Sequence, residues 1–339
     1  MESERRPRLT PAIADVRRAV RSCIDGLAPS TTDALLLVAL SGGADSLALA
    51  AATAFEAPRS AMRAGAVIVD HGLQADSAVV AERAAAQARV LGLDPVLVRR
   101  VDVSAGTDAG GPEAAARDAR YEALNAAVAQ TGALAVLVGH TLDDQAETVL
   151  LGLARGSGGA SLQGMAEASG ILRRPLLGIR RSTTRQFCAD AGLDVWDDPH
   201  NDSHLYARVR VRSSVLPVLE TELGPGIAEA LARTAEQLRE DSEALDSMVE
   251  ETIEEICEPA EAGIAVSIGA LAANPAALRQ RIIRRVVDSE FGVSLSRVQT
   301  LAVARLVTDW HGQKPLDLPG IRVKRDAGLI VFTAASTPL

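Results

Sequence analysis

Two hydrophobic periods divide this chain. Over residues 8–27, Ile13, Val16, Val20 and Ile24 recur at helical spacing, which predicts an N-terminal packing helix. The run Leu35-Leu36-Leu37-Val38-Ala39-Leu40 is continuously apolar and stops at Ser41-Gly42-Gly43, the pattern of a buried strand closing at a glycine turn. An Ala- and Leu-rich segment after Asp45 is good helix material. The alternation continues. Ala66–Val69 reads as a second strand, running into Asp70-His71-Gly72-Leu73. A helix is expected over 76–91, a strand over 95–101, a helix over 112–131 and a strand from Ala133 to Gly139. Strands alternating with helices predict an α/β fold with a doubly wound parallel sheet. In such sheets ligands bind at the carboxyl ends of the strands.

The second half changes character. Between Glu229 and Glu261 stand twelve acids and two arginines, a local charge of −10 in an amphipathic helical pattern. Gly263 to Ile268 reads as a strand, helices follow near 275–288 and 294–308, and Pro315–Leu318, Ile321–Arg325 and Leu329–Phe332 read as short strands around Pro319-Gly320 and Ala327-Gly328 turns. This predicts a smaller C-terminal α+β domain. The expected boundaries are a catalytic domain at 1–220, an acidic helical linker at 221–262 and a C-terminal domain at 263–339, in keeping with a length of 339 residues.

Charge and composition sharpen this. The net charge of −9 argues against a nucleic-acid partner, but removing the acidic stretch leaves about +1, so basic patches are free to form. Eight arginines face five acids over 171–215, and Arg279, Arg281, Arg284, Arg285, Arg322, Lys324 and Arg325 form a second basic region. Cys23, Cys188 and Cys257 form no Cys-x-x-Cys pair, which argues against a zinc knuckle or paired-thiol site. The opening MESERRPRLT lacks the apolar core of a signal peptide, and no apolar run reaches bilayer length. A cytoplasmic enzyme with no membrane partner is expected.

Two stretches carry candidate chemistry. In Ser41-Gly42-Gly43-Ala44-Asp45-Ser46, a glycine turn opens a helix, so backbone N–H groups and the helix N-terminus converge where a phosphate is favoured. Asp45 would repel that phosphate unless a metal ion bridges the two. A plain glycine turn is the alternative. In Gly139-His140-Thr141-Leu142-Asp143-Asp144-Gln145-Ala146-Glu147-Thr148, His140, Asp144 and Glu147 can converge at the sheet edge beside the first stretch. Helix capping by one of the aspartates is the competing explanation for Asp143-Asp144. On the 112–131 helix, Glu113 and Arg117 stand four apart and can pair. Residues 152–165 form a glycine-rich loop carrying Arg155, either a lid or a linker.

Ser-Gly-Gly-x-Asp-Ser resembles the pyrophosphate loop of the ATP pyrophosphatases (PP-loop, adenine nucleotide alpha hydrolase-like). Taken with Val-Asp-His-Gly-Leu, Ala-Arg-x-x-Arg-Tyr, Gly-His-x-x-Asp-Asp-Gln-x-Glu-Thr, Arg-Gly-Ser-Gly and Arg-Pro-Leu-Leu in that order, the chain resembles the tRNA(Ile)-lysidine synthases over roughly 34–220. His200 and Val209 depart from the family's usual Ser or Thr and Asn. The resemblance implies ligation of free L-lysine to C2 of the wobble cytidine in the CAU anticodon of tRNA(Ile), through an adenylated RNA, with ATP and Mg²⁺. It implies ATP contacts from Ser41, Gly42, Gly43, Ala44, Asp45, Ser46 and Arg155. Asp45 would hold the metal, and Asp45, Arg117, His140, Asp144 and Glu147 would be catalytic. Asp143, Asp144 and Glu147 would hold the lysine amine, and Arg208 and Arg212 the RNA. A homodimer stays open. The rivals are a tRNA-thiolating pyrophosphatase, which typically needs cysteines these three do not supply, an amidotransferase-type synthetase, and a non-catalytic nucleotide-binding regulator.

Overall fold

The computed structural model describes residues 9–27, 33–72, 76–101, 111–156, 158–197 and 204–335, without the side chains of 111–114 and 116. The chain divides into two compact units, 1–239 and 240–339.

The first unit opens with α1 (Pro11–Asp25), capped by the Thr10 side chain and burying Ile13, Val16, Val20 and Ile24. Then come β1 (Leu35–Ala39), α2 (Ala44–Glu56), β2 (Arg63–Asp70), α3 (Ser77–Val90), β3 (Val96–Arg100), α4 (Gly111–Thr131) and β4 (Ala135–Leu137). After α5 (Leu142–Arg155) and the single turn α6 (Gly159–Leu162) come two-residue strands, β5 (Ala168–Ser169) and β6 (Leu172–Arg173). The sheet order is β3-β2-β1-β4-β6-β5, parallel throughout except for the last pair. Alternation along β1 fills both faces. Leu36 and Val38 join the core with α1, α2 and α3, while Leu35 and Leu37 pack with Leu124 and Ala127 of α4. The doubly wound sheet read from the sequence is present, with β6 and β5 added at one edge.

From the sheet the chain runs into α7 (Arg181–Ala191), α8 (Ala207–Arg210), a π-helical turn at Val211–Val215, α9 (Leu216–Glu222) and the long α10 (Ile227–Ile256). The division between units falls within α10.

The second unit carries β7 (Cys257–Ala260), β8 (Gly263–Ser267), α11 (Ile268–Ala273), α12 (Ala276–Phe291), α13 (Arg297–Thr308), β9 (Leu316–Leu318), β10 (Ile321–Asp326) and β11 (Leu329–Ala334). Its antiparallel sheet has the order β7-β8-β11-β10-β9. The core joins Ile282, Ile283, Val286, Val287, Val303 and Leu306 of the helices to Val266, Ile321, Val323, Ile330 and Phe332. Among the described residues, no helix is long and apolar enough to cross a membrane.

Candidate active site

The apolar run of β1 places Ser41 at the carboxyl end of the central strand. Gly42 takes φ 87°, a conformation that side chains resist, and turns the chain into α2. The loop is braced from within. The Ser46 hydroxyl accepts from Ser41 N–H at 3.2 Å, lies 3.1 Å from Ser41 Oγ and donates to Gly43 O at 2.9 Å. No side chain caps α2, so its first-turn N–H groups stay open to an anion. Trp196 N–H donates to Gly42 O at 3.0 Å, clamping the loop from outside.

Gly139, just beyond β4, lies against this helix start. A Cβ built on it would stand 3.1 Å from the Asp45 carbonyl carbon and oxygen and from Ser46 N. The two sequence motifs therefore touch through backbone. One turn later α5 begins, and Asp144 shapes its first turn. Its Oδ2 accepts from Thr141 N–H and Thr141 Oγ1–H, each at 2.8 Å. The capping reading of Asp144 and the functional one thus meet in one side chain.

Arg181 ties these pieces together. As the first residue of α7, it donates Nη2–H to Asp144 Oδ1 at 2.8 Å and Nη1–H to Glu147 Oε1 at 3.1 Å, and its Nε lies 3.6 Å from Asp45 Oδ2. Its backbone N–H donates to Asp143 Oδ2 at 2.7 Å. Thr184, one turn along, donates its hydroxyl to the Asp45 carboxylate. Glu147 is 0 % exposed and receives two further guanidinium groups. Arg212 donates through Nε to Oε1 at 2.8 Å and Nη2 to Oε2 at 3.1 Å. Arg208 Nε approaches Oε2 at 3.3 Å outside hydrogen-bond alignment, while its Nη2 donates to Thr148 Oγ1 at 2.7 Å.

Burial pushes Asp45 above the usual carboxylate range, against the opposing pull of Thr184 and Arg181. Burial pulls Asp144 the same way, but Arg181 and the Thr141 bonds reverse it, and its pKa falls below the usual value. Burial lowers His140 to about 4, opposed by Asp144 and aided by Arg174, Arg208 and Arg120, so the imidazole is neutral at pH 7. His140 Nδ1 and His71 Nδ1 are both buried without a partner. A cavity of about 220 Å³ opens beside Glu147, lined also by Asp143, Arg180, Arg181, Arg212 and Glu220.

Residues 16–219 match the family model described as the PP-loop domain, and 267–329 match the TilS substrate binding domain. The chain is 66 % identical to the tRNA(Ile)-lysidine synthase of Leifsonia xyli over 90 % of this chain and 91 % of that one. It is 49 % identical to that of Thermobifida fusca over 96 % and 98 %. The chain belongs to the tRNA(Ile)-lysidine synthase family. The solved U34-tRNA thiolase of Methanococcus maripaludis, which carries an iron–sulfur cluster, shares the fold (TM-score 0.57 at 20 % identity, covering 68 % of this chain and 80 % of that one).

In this lysidine synthase family member, Asp45, Asp143, Asp144, Glu147, Arg208 and Arg212 come together, and His140 stands at the same sheet edge. Two of the arginines named from the sequence turn elsewhere. Arg117 is exposed, 5.3 Å from the Tyr121 ring centroid, and the neighbouring Arg120 approaches His71 Nε2 at 3.4 Å. The exposed Arg155 donates Nε–H to Leu151 O at 3.1 Å, folding back on its own helix. Glu113 and His200 lie outside the described side chains. Arg181 and Thr184 were not singled out from the sequence. The available signal was an arginine pair, Arg180-Arg181, opening a helix whose dipole opposes positive charge there.

Proposed function

We propose that this chain joins free lysine to C2 of the wobble cytidine in the CAU anticodon of tRNA(Ile), forming lysidine through an adenylated RNA. The observation that carries this is the meeting of a phosphate-favouring loop with a buried carboxylate pair, Asp144 and Glu147, across the single guanidinium of Arg181.

ATP fits the loop. Uncapped N–H groups of α2, the open turn at Gly42 and the Ser41 and Ser46 hydroxyls supply donors for its phosphates. Among the described residues no cluster of three ligating side chains exists, so Mg²⁺ would rest on Asp45 and the phosphates, the usual arrangement for this ion. Bound there, it would neutralise charge developing on the departing pyrophosphate. The cytidine O2 attacks the α-phosphorus and pyrophosphate leaves. The lysine Nε then attacks C2 and AMP leaves with the O2 oxygen. Before that attack the ammonium must lose a proton, and this reading assigns Asp144 and Glu147 to hold the ammonium and help remove that proton. Neutral His140 can donate or accept a hydrogen bond at the reacting base without adding charge. The thiols suit no sulfur relay. Burial holds Cys23 protonated with a pKa of about 11 and Cys188 with one of about 12. A tRNA substrate supports a cytoplasmic location.

The test is mass analysis of a tRNA(Ile) transcript with a CAU anticodon after incubation with the protein, ATP, Mg²⁺ and isotope-labelled lysine. One lysine added at the wobble cytidine, and lost in Asp144→Asn, is the expected result. Folded, ATP-binding protein that adds nothing would refute the reading.

A further inference from the structure

One stripe of α7 braces the phosphate loop from behind. Arg181, Thr184 and Cys188 stand at positions i, i+3 and i+7, so they share a face of the helix. Arg181 Nε lies 3.6 Å from Asp45 Oδ2. Thr184 donates its hydroxyl to Asp45 Oδ1. Cys188 donates Sγ–H to Ala44 O at 3.3 Å. All three meet the two residues where the loop becomes α2.

Thr184 is fully buried, where a hydroxyl costs stability unless it is bonded. Its one proton has two acceptors in reach, Asp45 Oδ1 and Arg181 O at 2.8 Å. A helical carbonyl already accepts the ladder bond from four residues on. Asp45 carries charge, and charge-assisted bonds are about twice as strong as neutral ones. The proton therefore goes to Asp45. That makes the two carboxylate oxygens unequal. Oδ1 is held by Thr184, while Oδ2 accepts no hydrogen bond among the described residues, because Arg181 spends Nη1 and Nη2 on Glu147 and Asp144. The carboxylate is not sealed off, with 25 % of the Asp45 side chain exposed.

We propose that Thr184 is a positioning residue whose hydroxyl holds Asp45 Oδ1, so that the carboxylate offers a metal ion one oxygen, Oδ2, in one orientation. This rests on the reading that seats Mg²⁺ between Asp45 and the phosphates of ATP, and it adds a preference among ions. Mg²⁺ demands near-ideal octahedral geometry and is held by one or two carboxylates plus substrate phosphates. Ca²⁺ takes a larger, looser shell and accepts carboxylates through both oxygens. A carboxylate with one oxygen already occupied suits the first ion better than the second.

The test is equilibrium binding of an ATP analogue with an uncleavable α–β bridge to the full-length protein, titrated with Mg²⁺, with Ca²⁺ and in EDTA. Thr184→Val removes the hydroxyl and keeps the shape. It should need about 10–100-fold more Mg²⁺ for half-maximal enhancement of nucleotide binding, the usual cost of removing a group that orients a metal ligand. Its binding in EDTA should match the wild type, and its Ca²⁺ affinity should rise relative to Mg²⁺ because Oδ1 is freed. Thr184→Ser keeps the hydroxyl and should keep the wild-type Mg²⁺ requirement. If Thr184→Val does not fold, Thr184→Ala against Thr184→Ser makes the same comparison with one atom changed. A wild-type Mg²⁺ requirement in a folded hydroxyl-free variant overturns the proposal and leaves Thr184 bonding only its own helix. Equal loss of binding in EDTA and in Mg²⁺ overturns it too, because the loop itself is then damaged. Wild-type nucleotide binding that ignores Mg²⁺, in protein that still ligates lysine, removes the proposal and spares the lysidine reading. The predicted shifts in protein that adds no lysine would support the role of Thr184 and sink the lysidine reading alone.

Discussion

Replacing Arg181 by glutamine separates the charge of this side chain from its bulk. Arg181 holds Asp144 at 2.8 Å, Glu147 at 3.1 Å and Asp45 at 3.6 Å, so its loss leaves three carboxylates short of one cation. Removing one partner of a buried pair costs about 3–5 kcal/mol. Here Arg208 and Arg212 remain on Glu147, and Thr141 remains on Asp144, so the lower end, about 3 kcal/mol, is expected. For a unit of this size that lowers the melting temperature by about 6–12 °C, readable by thermal unfolding. The pH dependence identifies the cause. In the wild type, Asp144 titrates below its ordinary value, so its stabilisation is present above the unfolded pKa and is lost as pH falls through the lower folded one. Without Arg181, the largest pull holding Asp144 down is gone and burial acts with less opposition at Asp45, so both shift upward from their wild-type values, and protonation relieves the variant as pH falls. The gap between variant and wild type should therefore shrink from pH 7 to pH 5. A gap that is constant across that range, or a melting temperature within 2 °C of the wild type at pH 7, would refute the account.

Gly139→Ala puts a methyl group 3.1 Å from the backbone of Asp45 and Ser46, so the start of α2 must shift. It should cost about 1–3 kcal/mol of stability and raise the KM for ATP more than that for lysine, as steady-state kinetics will show. His140 titrates at about 4 when folded, so from pH 6.5 down to that value the unfolded chain binds the extra proton and stability falls. His140→Gln should remove about 2.4 kcal/mol of that acid loss in urea titrations at pH 7 and pH 4.5. Asp144→Asn loses the acceptor for Arg181 as well as a carboxylate, so it should lower the melting temperature besides abolishing lysine addition.

The parallel sheet was legible because β1, β2 and β4 are continuous apolar runs and the helices between them carry good helix formers. Strands β5 and β6 were not, since two residues contain no period. Strand β7 was hidden as well. Cys257-Glu258-Pro259-Ala260 carries a proline and an acid directly behind the acidic helix, and only its partner β8 makes it a strand. In the site, Asp144 and Glu147 announced themselves because three-residue spacing on one helix is local information. Arg181 did not, because it reaches them from a helix nearly forty residues downstream and its role exists only in tertiary structure. The resemblance assigns Arg208 and Arg212 to the RNA, and nothing local indicates that both turn inward to Glu147.

The clamp of Trp196 on the glycine loop has an optical consequence. The chain holds two tryptophans, and the second, Trp310, lies in the other unit beneath the Arg325 guanidinium. Trp196 donates its backbone N–H to Gly42, and its Cβ stands 3.7 Å from where a Gly42 Cβ would be. A tryptophan whose backbone and Cβ lie this close to the glycine loop is a native fluorophore beside the proposed nucleotide site. In a Trp310→Phe protein its emission would follow loop occupancy in real time, with no label and no coupled enzyme.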